Sequence, residues 1–158
     1  MATAVKAPTL GYHEDASITK REIAQIQLSE AIDLFLAEKF LCALTLAGAA
    51  DGVISGLLAV QGEKSGAELS ADAALRIKSE LGLIGLADTT KKQIFNAWND
   101  ARNRAKHHDK GEAETIVVNL FDEAYWMIRR ALDGASRIGV DIGNAVDFEN
   151  WVIVNINM

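Results

Sequence analysis

The chain has 158 residues, 49% of them hydrophobic and 24% charged, with a formal net charge of −6. That length suits one domain with little room for two, and the composition fits a soluble globular protein with a real core. The negative balance excludes a protein whose whole surface grips nucleic acid, because phosphate contacts need a basic face.

The opening "MATAVKAPTL" lacks the apolar block of a secretion signal. Residues 1–16 read as a flexible arm. Within it, Tyr12, His13, Glu14 and Asp15 carry metal-binding atoms, but adjacent residues chelate poorly from one backbone, so a polar, mobile arm is the simpler reading. Pro8 is the only proline. The following 150 residues lack the strongest helix breaker. Residues 17–158 are therefore expected to form one all-α domain.

Thr19 and Glu22 form a capping-box pattern, which predicts a helix from there to about Lys39 with Leu28, Ala31, Ile32 and Phe35 on its inner face. A second helix is expected from about Leu41 to Val60. Ala43, Ala47, Gly48 and Ala50 are small enough to admit a close neighbour, and Asp51 and Ser55 are the polar interruptions. Cys42, the only cysteine, excludes an intrachain disulfide and reads as a small core residue. The run from Phe40 to Val60 is long enough to span a bilayer. Asp51 would then lie mid-membrane, the neighbours are small, and no second such segment follows. The run reads instead as the central helix of a cytoplasmic protein with no membrane partner.

"QGEKSGAELS" (Gln61 to Ser70) reads as a loop. A shorter helix is expected to carry Ala74, Ile77 and Leu81, broken by "GLIGLAD" (Gly82 to Asp88). Thr90 and Gln93 form a second capping box, opening a helix with Ile94, Ala97 and Trp98 inward and Gly111 as its stop signal. Val117, Leu120, Phe121, Ala124, Ile128 and Leu132 predict a helix from about Glu114 to Leu132, with Gly134, Gly139 and Gly143 in the loop after it. In "AVDFENWVIVNINM", Phe148, Trp151 and Val152 fit a helical face while Val152, Val154 and Ile156 alternate like a strand; a short helix with an extended tail is favoured. The sum is an up-and-down antiparallel bundle of about five helices. Trp126, Met127 and Trp151 add apolar surface beyond what so small a bundle hides, which predicts a homodimer.

Chemistry concentrates in "WNDARNRAKHHDKGE" (Trp98 to Glu112). From Lys91 to Lys110 six Lys or Arg stand against Asp100 and Asp109, a local charge of +4 in a chain whose remainder carries −10. On a helix Asn103 and His107, four apart, share a face, and the Arg102 side chain is long enough to curl onto it. A guanidinium fork, an amide and an imidazole would then converge on one small anion, with Arg104, Lys106 and His108 supplying further contacts. Charge stabilisation and proton transfer by these groups need neither metal nor cofactor. A plainer reading competes: helix C-termini favour Arg, Lys and His, because the last carbonyls are partly negative. Other clusters are weaker. His107, His108 and Asp109 lack the cysteines of a structural zinc site. Glu30, Asp33 and Asp51 form a carboxylate group without the Glu-x-x-His pair of a di-iron bundle. Trp98, Trp126 and Trp151 read as core and interface. There is no P-loop, GxGxxG or nucleophile elbow.

Arg102-Asn103 followed by three residues and His107, late in a helix of a small bundle, resembles the HEPN superfamily, whose signature is an arginine and a histidine four to six residues apart, often with Asn after the arginine. Arg102 and His108 match the five-residue variant. The resemblance covers most of the chain as architecture and about seven residues as motif. It implies a metal-independent endoribonuclease: Arg102 binding the scissile phosphate, His107 moving protons as the ribose 2′-hydroxyl attacks to leave a cyclic phosphate, and Asn103 orienting. It also implies a homodimer with two motifs facing across one cleft, RNA as substrate, and a place in toxin–antitoxin or defence systems with an antitoxin as protein partner. The alternative is a non-catalytic module of the same shape, which dimerises or binds a partner or an anion.

Overall fold

The computed structural model describes residues 7–81 and 90–156. Those residues form six helices and no strands: α1 (Lys20–Leu36), α2 (Phe40–Val60), α3 (Gly66–Leu81), α4 (Lys91–Lys106), α5 (Leu120–Arg137) and α6 (Ala145–Asn155). The all-helical bundle stands, with one more helix than expected. The Gly82 to Asp88 break lies outside the described residues.

The capping box of Thr19 and Glu22 opens α1. Its carboxylate accepts from the Thr19 N–H at 2.7 Å, and that bond holds the Glu22 carboxyl below its ordinary range. Leu28, Ala31, Ile32 and Phe35 are buried as their spacing requires. α2 lies centrally, packed chiefly on α1 and α5. It is long and apolar enough to cross a membrane by length and composition, and the face carrying Ala43, Leu44, Ala47, Ile54 and Leu58 is buried against its neighbours. Gly134 lies inside α5 rather than in the loop expected there, and it is the close approach of α2 that requires a residue without a side chain. A Cβ at Gly134 would stand 2.6 Å from Ile54 Cγ2.

Helix directions follow from the pairings. Phe35, at the end of α1, meets Phe121, at the start of α5, with ring centroids 5.5 Å apart. At the opposite ends, the Arg21 guanidinium donates to the Ile138 carbonyl. α1 and α5 are therefore antiparallel. Phe40 meets Phe121 at 5.3 Å and Arg137 meets Glu63 at 3.1 Å, so α2 and α5 run the same way. Strict up-and-down alternation through five helices would have opposed them. α3 packs on α4 and α5 rather than chiefly on α2.

α6 confirms the helical reading of the last segment. Phe148 and Val152 are buried, and Trp151 packs against the core. Phe35, Phe40, Phe121, Tyr125, Phe148 and Trp151 build one aromatic cluster that closes this end of the bundle.

Other boundaries move. α3 begins inside the supposed loop, because Ser65 and Glu68 form a capping box: the Ser65 N–H donates to the Glu68 carboxylate at 2.8 Å, and the Glu68 N–H to Ser65 Oγ at 3.2 Å. α5 begins at Leu120 rather than Glu114. Asn119 caps it, its side chain accepting from the Asp122 N–H at 3.1 Å. Cys42 is exposed rather than a core residue, since the inner face of α2 passes through Ala43, Leu44 and Ala47. Met127 is buried within its own chain, whereas Trp126 is 66% exposed.

Candidate functional site

The site is built on α4. Its start is secured by Thr90 and Gln93, which cap each other as expected. Its inner face is not the Ile94–Ala97–Trp98 stripe. The buried residues are Asn99 and Ala101, and Trp98 is 37% exposed. The reason is polar. Asn99 faces an ion pair between Asp51 of α2 and Arg130 of α5. One guanidinium nitrogen of Arg130 donates to Asp51 Oδ2 and to Asn99 Oδ1, each at 2.9 Å. The amide nitrogen of Asn99 donates to the Phe95 carbonyl at 2.9 Å. A buried charge is tolerable only when paired and hydrogen-bonded, and this network supplies both.

One turn further on, Arg102 lies half-buried across α2. Gly48 makes the room: a Cβ there would stand 2.3 Å from Arg102 Cδ. The guanidinium donates to the Gly48 carbonyl at 3.1 Å and to Asn103 Oδ1 at 3.4 Å. The Arg102 Nε is buried and has no partner among the described residues. Arg102 and Asn103 thus meet at the seam between α2 and α4.

His107 stands apart from that pair. α4 ends at Lys106, and His107 is its C-cap in extended conformation, φ −128° and ψ 150°. Its N–H still donates to the Asn103 carbonyl at 3.0 Å, but its imidazole has left the helical register that four-residue spacing assumes. The ring is exposed and makes no hydrogen bond among the described residues. It lines an open groove of about 850 Å³ with Arg104, Lys106 and His108, opposite Glu112 and Glu114. Arg102 is not in that groove. Within this stretch Arg104 lies 3.5 Å from Asp100 one turn earlier, and in the turn beyond α4 the Asp109 N–H donates to the Glu112 carboxylate at 3.0 Å. Gly111, at φ +94°, closes the turn after α4, a backbone region that favours glycine.

Among the described residues no three His, Cys, Asp or Glu are grouped to hold a metal ion. The Glu30–Asp33–Asp51 combination does not form, because Asp51 turns to Arg130. Reading the sequence missed this buried network. Its one signal was Asp51, a lone charge in an apolar helix, which requires a cation from another element. No protein family, no curated protein and no solved structure matches the chain.

Proposed function

We propose that the chain is a HEPN-like helical-bundle protein that cleaves RNA without a metal, through Arg102, Asn103 and His107. The observation that carries the reading is the arginine itself. Arg102 is laid into the notch above Gly48, hydrogen-bonded to Asn103, one turn before an exposed imidazole at the helix end. A guanidinium fixed in this way has the rigid fork that suits a phosphodiester. In the proposed reaction His107 accepts the proton of the ribose 2′-hydroxyl as its oxygen attacks phosphorus. Arg102 stabilises the negative charge gathered on the non-bridging oxygens. The bond to the 5′-oxygen breaks, that oxygen takes up a proton from water, and a 2′,3′-cyclic phosphate remains. Asn103 orients the arginine. Arg104, Lys106 and His108 bind the flanking phosphates. In this reading the protein is a cytoplasmic homodimer acting in a toxin–antitoxin or defence setting, held in check by a protein partner.

The second reading is a non-catalytic dimerisation module or one that binds a partner or an anion. It is favoured by the separation of His107 from Arg102, and by the carboxylates that share the imidazole's groove. A ribonuclease assay in EDTA on a broad RNA panel separates the two. Cleavage that is lost in Arg102→Ala and His107→Ala, with folding intact, supports catalysis. Wild-type protein that cleaves nothing leaves the second reading in possession.

A further inference from the structure

Away from the Arg104–His108 groove, α3, α4 and α5 enclose a cavity of about 570 Å³, within the size range of small-molecule sites. Its walls carry Leu69, Trp98, Trp126 and Met127. Both indoles are exposed, Trp98 at 37% and Trp126 at 66%.

The charge of the cavity decides what it suits. Two arginines and two carboxylates line it, but the charge of each arginine is paired with a carboxylate outside it. Arg130 is held by Asp51 and Asn99 through one guanidinium nitrogen, and its Nε is buried without a partner among the described residues. Arg129 is held by Glu149, and its guanidinium lies 5.4 Å from the Tyr125 and Phe148 ring centres. The carboxylates have no such partners. Glu123 makes no side-chain hydrogen bond or ion pair among the described residues, and burial followed by the charges of Asp100 and Asp122 holds its carboxyl above the ordinary range. Asp133 has only a 3.9 Å approach to Arg137. The uncompensated charge is negative, and the surface beside it is indole.

We propose that this cavity binds a small organic cation, a substituted amine or quaternary ammonium with an apolar body, its charge set against Glu123, Asp133 and the indoles of Trp98 and Trp126. Indole is the ring that attracts such cations most strongly. The apolar body would displace water from Leu69 and Met127. The site is independent of the ribonuclease reading.

The test is calorimetric titration of the full chain with benzyltrimethylammonium chloride, benzyl alcohol and sodium benzoate. Saturable binding of the ammonium is expected, with benzyl alcohol weaker by about fivefold or more and benzoate not binding. Glu123→Gln and Trp126→Ala should each weaken the ammonium about fivefold without lowering the melting temperature, since Trp126 is largely exposed and Glu123 is unpaired. Equal or stronger binding of benzoate or benzyl alcohol would overturn the proposal. So would an unchanged ammonium affinity in Glu123→Gln, or the absence of binding by all three probes.

Discussion

Removing Asp51 tests the account of the bundle's interior most directly. The Asp51 and Arg130 side chains are 8% and 11% exposed and 2.9 Å apart. In Asp51→Ala the Arg130 guanidinium keeps only Asn99 and the Met127 sulfur as partners and loses its counter-charge. Breaking a buried pair on one side costs about 3–5 kcal/mol, a large share of the roughly 5–15 kcal/mol that holds a domain together. At this chain length each kcal/mol moves the melting temperature by about 2–4 °C, so a fall of roughly 6–20 °C is expected. Urea denaturation gives the free energy directly. The double variant Asp51→Leu with Arg130→Met removes both charges and keeps the volume filled, and it should recover most of the loss. A single-variant cost below about 1 kcal/mol, where exposed pairs fall, would refute the reasoning. A double variant no better than the single would refute it equally.

Three other outcomes follow from the geometry. Gly48→Ala sets a Cβ 2.3 Å from Arg102 Cδ, so the intrinsic helical gain of alanine should be outweighed by an overpacking cost of about 1–3 kcal/mol, seen by chemical denaturation. Asp72 bridges Lys64 at 2.7 Å and Lys91 at 2.8 Å, and these hydrogen bonds hold its carboxyl at about 2. Its folded-state value is depressed, so its contribution is complete above the ordinary carboxylate value near pH 4 and is lost as the pH falls toward 2. Amide exchange in α3 and α4 should quicken across that window in the wild type and show no such added loss in Asp72→Asn. Cys42, exposed on α2, should react fully with a thiol reagent in the native protein; protection until unfolding would return it to the core.

The parts legible in the sequence are those where apolar periodicity alone decides the outcome. Leu28, Ala31, Ile32 and Phe35 announced the inner face of α1, and the small residues of α2 announced its central place, because burial there is a matter of size and spacing. α4 was misread because its inner face is polar. Ile94 and Trp98 outrank Asn99 on any apolar scale, yet Asn99 is buried, since what lies beneath it is the Arg130 guanidinium rather than a hydrophobic surface. The start of α3 was hidden for a related reason: Ser65 and Glu68 carry the same capping signal as Thr19 and Glu22, but within a glycine-bearing polar run that reads as a loop. In the candidate site, four-residue spacing placed His107 beside Asn103 only as long as the helix continued. Spacing cannot show that the helix would end at Lys106 and turn the imidazole away.

That helix end shapes the last prediction, which rests on the ribonuclease reading. The Arg102 side chain lies across α2, and the groove that His107 lines does not include it, so the ribonuclease reading needs the two groups to be brought together. Either His107 swings inward when RNA binds, or a second copy brings its own histidine to the first copy's arginine. Mixing inactive variants distinguishes these. In a dimer with composite sites, an Arg102→Ala chain still offers its histidine and a His107→Ala chain its arginine, so each mixed dimer holds one intact pair. Free exchange makes half the dimers mixed, and about a quarter of wild-type activity should return. If each site lies within one chain, no mixture contains an intact pair and the activity stays at the level of the separate variants. Circular dichroism on Arg102→Ala guards the comparison, because that side chain fills the notch above Gly48 and its loss has a packing cost of its own. A quarter of the activity would establish the second copy as part of the site. No recovery from two folded, exchanging variants would refute the composite arrangement and assign both roles to a single chain whose helix end moves on binding.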